Sequence, residues 1–287
     1  SGKIRITDFS LLFMKYQGIY FMKKTLIALA VAASAAVSGS AMAAGWEQNG
    51  SGGSVDLGGT LTPADVVTPW EVKVGNAVTG LDALVQKGQT EVRIETKTAI
   101  PVLGIRNASA SGFTGKTGIA PQINFNGAVD VANFSASVTT VKTDVQDASG
   151  NKIGSLTAPF SAGAVLSAYP NENQPWTALD RNMVSSVAGG SFYGGLPKST
   201  SKVLSGDNVL TLLTSLDREY TAKFVKAGKW DPIVDNEKFA DPAVQFYATY
   251  GSGIEAGKQI KITLDTPVAN NDAIVWKASL PVQVTYQ

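Results

Sequence analysis

The sequence contains neither cysteine nor histidine, and each absence closes off chemistry. A Ser-His-Asp or Cys-His nucleophile cannot be built, and zinc sites of thiolate and imidazole are excluded. No disulfide can staple the fold, so its core or a partner must hold it. Charge is scarce as well: Lys+Arg 24 against Asp+Glu 23, with 16% charged residues and no basic run. A nucleic-acid partner is not expected from such a balance. There is no Walker A sequence and no EF-hand loop, and the glycines of "YGSGIEAG" (250–257) miss the G-x-G-x-x-G spacing and lead into a strand. That stretch reads as a turn. No cofactor and no metal is expected.

Long apolar runs are missing too. The longest apolar stretch, Leu26 to Val37, is too short and too alanine-rich for a membrane span. It follows Met22-Lys23-Lys24 and precedes the small-x-small triplet Ala41-Met42-Ala43. That is the layout of a Sec signal peptide over residues 22–43, with cleavage expected after Ala43. Residues 1–21 make no sense ahead of such a signal and read as upstream translated sequence. Removing the first 43 residues takes away Lys3, Arg5, Lys15, Lys23, Lys24 and Asp8, which turns the net charge slightly acidic.

What remains reads as short strands between turn residues. "WEVKV" (70–74), "TEVRIET" (90–96), "IPVLGI" (100–105) and "PQINF" (121–125) come first. Asn126-Gly127 suits a tight hairpin turn because both residues tolerate positive φ. "FSASVTTVKTDVQ" (134–146) alternates unevenly, which predicts a bulge in its middle, and "DASGNK" reverses the chain into "KIGSLTAPF" (152–160). "AVQFYATYG" (243–251) and "KQIKITLD" (258–265) alternate as well. The expected fold is mainly β, an antiparallel sandwich.

Residues 165 to 240 break the rhythm and read as an α-containing insertion. "TALDRNMVSSVAGG" (177–190) has helix character, and "SGDNVLTLLTSLDREYTAKFVKAGK" (205–229) places Val209, Leu212, Leu213, Leu216, Tyr220 and Phe224 on one helical face. Asp217, Glu219, Asp231, Asp235, Glu237 and Asp241 cluster here in sequence. Paired carboxylates are enough for a glycosidase, although solvated surface charges produce the same pattern. Trp176, Tyr193 and Trp230 could offer flat faces to sugar rings, while aromatics equally fill cores.

Both ends of the mature chain are unusual. "GGSVDLGGTLT" (52–62) places Val55, Leu57 and Leu61 at strand spacing, with Gly59 in the remaining position. "IVWKASLPVQVTYQ" (274–287) points Trp276, Ala278, Leu280, Val282, Val284 and Tyr286 to one side, and Pro281 marks an edge. Two arrangements fit the pattern equally. The arm could be the first strand of its own sandwich, or it could complete the sandwich of a second copy beside the C-terminal strand.

The signal "MKKTLIALAVAASA", the arm "GSVDLGGTLT", "WEVKVG", "FYGGLP", "YGSGIEAG" and the ending "WKASLPVQVTYQ" together make the chain similar to a known family. It resembles the chaperone–usher major fimbrial subunits and adhesins of the FaeG/ClpG type, in the capsule-like surface antigen branch. The resemblance implies an incomplete immunoglobulin-like sandwich lacking one strand, over residues 63–287, with an inserted α-containing subdomain. It implies that residues 44–62 are a donor-strand arm (Val55, Leu57, Gly59, Leu61) bound by a groove along Trp276, Leu280, Val282, Val284 and Tyr286. Its implied partners are identical subunits, a periplasmic chaperone, an outer-membrane usher and a host glycoconjugate, with the product exported to the surface as a fimbrium. The family's sugar-binding residues do not carry across, because the insertion differs too far. The competing expectation is a secreted carbohydrate-active protein working through carboxylates.

Overall fold

The computed structural model describes residues 48–49, 55, 57–61 and 67–287. The signal segment 22–43, residues 1–21 and arm positions 52–54, 56 and 62 lie outside the described residues. The chain falls into two units, Ser1–Val66 and Val67–Gln287. The second consists of strands β1 (Trp70–Val74), β2 (Glu91–Glu95), β3 (Ile100–Asn107), β4 (Phe113–Thr114), β5 (Pro121–Asn124), β6 (Val138–Asp147), β7 (Lys152–Pro170) and β8 (Leu179–Val184), then helices α1 (Asp207–Leu216) and α2 (Arg218–Thr221). Strands β9 (Val234–Asp235), β10 (Val244–Ile254), β11 (Gln259–Leu264), β12 (Trp276–Ala278) and β13 (Gln283–Tyr286) follow. The fold is a mainly-β sandwich with open sheets and a small helical insertion.

β7 organises it. One of its edges pairs first with β6 over residues 152–161 and then with β8 over 165–168. The other pairs with β11 over 154–157 and with β10 over 161–170. Pro159, which has no N–H to donate, falls in the gap where this edge changes partner. β3 joins the far side of β10, and β1 closes that row as an edge strand on β3. β2 closes the opposite end on β11, and its exposed Glu91, Arg93 and Glu95 blunt that edge.

The core is aromatic at one end. Trp70 packs edge-on against Phe113 and Phe192, and its indole N–H donates to the Ile119 carbonyl at 2.6 Å. Phe192 stacks on Tyr250 with centroids 5.4 Å apart. The Tyr250 hydroxyl is buried and has no hydrogen-bond partner among the described residues; the nearby Ser252 hydroxyl donates instead to Leu103. Burial pushes the Tyr250 phenol well above the ordinary tyrosine range. An unpaired buried hydroxyl contributes no stability, so Tyr250→Phe should leave the melting temperature unchanged or raise it. A fall of several degrees in thermal unfolding would show that the hydroxyl has a partner.

Several local expectations need correcting. Residues 177–190 contain no helix: Leu179–Val184 is strand β8, paired with β7, because Asp180 is buried and accepts backbone N–H groups from Ala227 and Gly228 at 2.7 Å each. "YGSGIEAG" is a turn only at its end, since Tyr250 to Ile254 belong to β10. The expected helix over 205–229 ends at Thr221, although Val209, Leu212, Leu213, Leu216 and Tyr220 do form one buried face. In 134–146 the strand begins only at Val138, after a tight turn in which Ala136 and Ser137 take positive φ, and the register shift lies at its end, between Val145 and Gln146. Asn126 and Gly127 do form a turn, with φ 52° and 78°. The chain beyond it meets β6 through Val129 rather than returning along β5, and β5 pairs with β13.

The helical insertion is seated by a row of three glycines. Gly104, Gly251 and Gly163 lie side by side across β3, β10 and β7. The Tyr220 ring of α2 lies so close to Gly104 and Gly251 that a Cβ would come within 2.2 and 2.4 Å of it. At Gly163 a Cβ would meet Val209 of α1 at 2.8 Å.

Candidate functional site: an apolar cleft beside the last strand

The C-terminal strand expected to be continuous is interrupted. β12 and β13 are separated by Ser279–Val282, where exposed Pro281 cannot donate to a ladder. Its two-sided character persists across the break. Trp276, Ala278, Leu280, Val282, Val284 and Tyr286 all turn inward, while Lys277, Ser279, Pro281, Gln283 and Thr285 are exposed. None of the inward residues is fully buried, unlike Val145 of the neighbouring β6 at 0% exposure.

The reason is one-sided pairing. β12 pairs with β6 and β13 with β5, and Gln287 continues the second ladder by exchanging bonds with Ala120 at 3.0 and 3.1 Å. Among the described residues no strand lies on the other edge. There the sandwich opens into a cleft of about 980 Å³. Its floor is core: Ile94, Val145, Leu156, Ile260 and Ile262 line it. One bank is formed by residues 74–85, which continue directly from β1, and the other by residues 271–280 together with Val282.

The backbone of both banks is left over. Among the described residues, Asn76 to Val85 make no backbone hydrogen bond, and neither do Asn271, Ala273, Ile274 and Val275. These stretches are largely exposed, so their unpaired backbone groups are open to an added chain, and an apolar edge left bare invites another strand. Val74, Val78, Leu84, Ile274 and Val275 stand exposed along the same two banks. The cleft therefore offers a ladder on each side and an aliphatic floor, which is the chemistry of strand addition.

The described arm residues Val55, Leu57 and Leu61 are 87%, 94% and 98% exposed, and Gly59 is exposed too. None of them lies in a strand.

The other candidates do not converge. Trp176 packs on the main core and Trp230 on the helical cluster, and neither they nor Tyr193 line the cleft. Tyr193 and Trp230 each carry a lysine ammonium, of Lys198 and Lys226 respectively, 5.7 Å from the ring centroid. The acidic residues are dispersed into structural bonds. Asp217 and Glu219 bind Lys73 at 2.7 and 2.9 Å, and Asp231 binds Arg181 at 2.7 Å. Asp235 accepts from Ser186, Glu237 from the Phe239 N–H and Asp241 from the Ala243 N–H.

Sequence reasoning missed the bank at 74–85. Its signal was present but weak: Val74, Val78, Leu81, Leu84 and Val85 are apolar without a clean period of either kind.

The family described as "Fimbrial, major and minor subunit" matches residues 22–287. The K88 fimbrial protein AC of Escherichia coli is 31% identical over 296 residues, covering 92% of this chain and 100% of that protein. The K88 fimbrial protein AD of the same organism is 29% identical over 298 residues, and its F41 fimbrial protein 26% over 285, both with the same coverage. The chain belongs to the fimbrial major and minor subunit family.

Proposed function

We propose that the chain is a major structural subunit of a surface fimbria or capsule-like polymer, assembled by donor-strand exchange. In this reading residues 63–287 are an incomplete immunoglobulin-like domain, and the cleft is the place of its missing strand. Residues 44–62 of a second copy fill it, with Val55, Leu57 and Leu61 turned to the floor and Gly59 where the wall is close. Trp276, Leu280, Val282, Val284 and Tyr286 form the accepting strand. The observation that carries the reading is the cleft itself, apolar below and with unpaired backbone on both banks. Each large arm side chain contributes about 1.5–3 kcal/mol on full burial, and each new ladder bond adds roughly 0.5–1.5 kcal/mol net. A contact between unlike surfaces does not close on itself, so repetition gives a filament.

An apolar cleft of this size needs cover before assembly. A periplasmic chaperone lending a strand, followed by exchange at an outer-membrane usher, supplies that cover in sequence. The Sec-type segment 22–43 is the route of export, and the fimbrium at the cell surface is the destination. The role is structural, not catalytic: the carboxylates a glycosidase would need are engaged one by one in the fold. Adhesion to host glycans is placed on the insertion, with Trp176, Tyr193 and Trp230 as candidate sugar platforms.

Deleting residues 44–62 should abolish multimers, with a folded monomer recovered when a chaperone is co-expressed. Size-exclusion chromatography that still showed multimers would end the strand-exchange reading. For the adhesive half, a glycan array probed with monomer carrying a fused copy of residues 52–62 should retain at least one glycan class. A blank array would remove that half alone.

A further inference from the structure

β1 lies at a mechanical crossroads. It follows the arm in the chain and runs without a break into one bank of the cleft. If subunits are joined as proposed above, on which this inference rests, tension enters each subunit through its arm at the start of β1. It leaves through the cleft, where the next arm is held. β1 is an edge strand, and among the described residues its backbone bonds run to β3, through a five-pair ladder.

Its outward side chains are held by something else. Lys73 reaches α2 of the insertion, binding Asp217 at 2.7 Å and Glu219 at 2.9 Å. Glu71 binds Arg106 of β3 at 2.5 Å and Lys223, just beyond α2, at 2.7 Å. Arg106 also donates to the Glu219 carbonyl, and Lys223 to the Ala108 carbonyl. α2 is in turn fixed to the sheet by the Tyr220 ring over Gly104 and Gly251 and by the bond from Thr249 of β10 to the Tyr220 carbonyl. The Glu71 carboxyl is held below its usual range, first by Lys223. For Asp217 burial acts upward, but Lys73 and the Glu219 N–H outweigh it and the net shift is down.

We propose that α2 and its ion pairs are a brace that holds β1 against filament tension, carrying load from β1 directly to β3 and β10 beside the β1–β3 ladder. Single surface ion pairs contribute little at rest. Six charged groups tied at both ends to packed elements act differently under shear, because slipping β1 by one residue breaks all of the pairs together.

The test is constant-force stretching of assembled wild-type and variant fimbriae. The double substitution Glu71→Gln with Lys73→Gln should unfold subunits roughly 3- to 10-fold faster at a given force. Raising salt should speed wild-type unfolding but leave the double variant nearly unchanged. Lys73→Arg should keep the wild-type rate. Lys152→Gln, which removes the more exposed pair with Asp144 on the β6–β7 hairpin, should have no effect. If the double variant does not assemble, Lys73→Gln alone carries the same comparison. Wild-type rates and salt dependence in the brace variants, or an equal effect from Lys152→Gln, overturn the brace and leave strand exchange standing. Load-carrying filaments from chains lacking residues 44–62 would overturn both.

Discussion

Leu57→Asp should cut fimbrial assembly by roughly two orders of magnitude or more, while Asp56→Ala leaves it near wild type. Leu57 is exposed on an arm whose alternate positions are apolar, and the proposed strand exchange would take its side chain to the aliphatic floor around Ile260 and Ile262. The substitution loses about 1.5–3 kcal/mol of apolar burial and adds the desolvation of a carboxylate that nothing there can pair. Each 1.4 kcal/mol is a factor of ten. Asp56 has the opposite parity in the sequence, so in the proposed register it would face away from the floor. Polymer yield, measured by quantitative immunoblot of sheared surface material, is the readout. Equal yields from the two variants would show that this register is wrong.

The second large effect is expected at the glycine row. In Gly251→Val the new Cβ would sit 2.4 Å from the Tyr220 ring and 2.9 Å from Leu213, inside any permitted contact. The ring must leave, and α2 with it. Overpacking of this kind costs about 1–3 kcal/mol, which for a domain this size is a fall in melting temperature of about 2–12 °C. The mechanism has a sharper signature than the size of the loss. In a Tyr220→Ala background the obstructing ring is gone, so the Gly251→Val penalty should shrink by more than half, a strong departure from additivity. Thermal unfolding of cleft-filled monomers gives all four corners of that cycle. Additive penalties would mean that the glycine is there for some reason other than the tyrosine.

This row also shows why parts of the fold were illegible in the sequence. "YGSGI" reads as a turn because glycine is poor in strands, and only distant neighbours explain its glycines in β10: the Tyr220 ring over Gly251, and the Ile100 carbonyl of β3 against Gly253. Leu179–Val184 looked helical because Leu179, Met183 and Val187 are four apart; pairing with β7 and the burial of Asp180 override that spacing. The second half of β7, "SAGAVLSAYP", shows no alternation because the core covers one face and the insertion packs on the other. Where a strand has one wet face the pattern was plain, as in Trp276 to Tyr286, whose inward and outward residues match the sequence reading position by position. The cleft was legible from one side only. Its last-strand bank announces itself by alternation, whereas the bank at 74–85 has no period to betray it. The ion pairs of β1 reach residues far away in the chain, Lys73 to Glu219 being 146 positions apart, beyond the reach of any local rule.

The nineteen residues of β7 have one more consequence. In a protein without a single covalent cross-link, this ribbon is shared property: its first half is stitched to β11 and its second to β10, with the proline at the changeover. Slackening in one layer is therefore felt at once in the other.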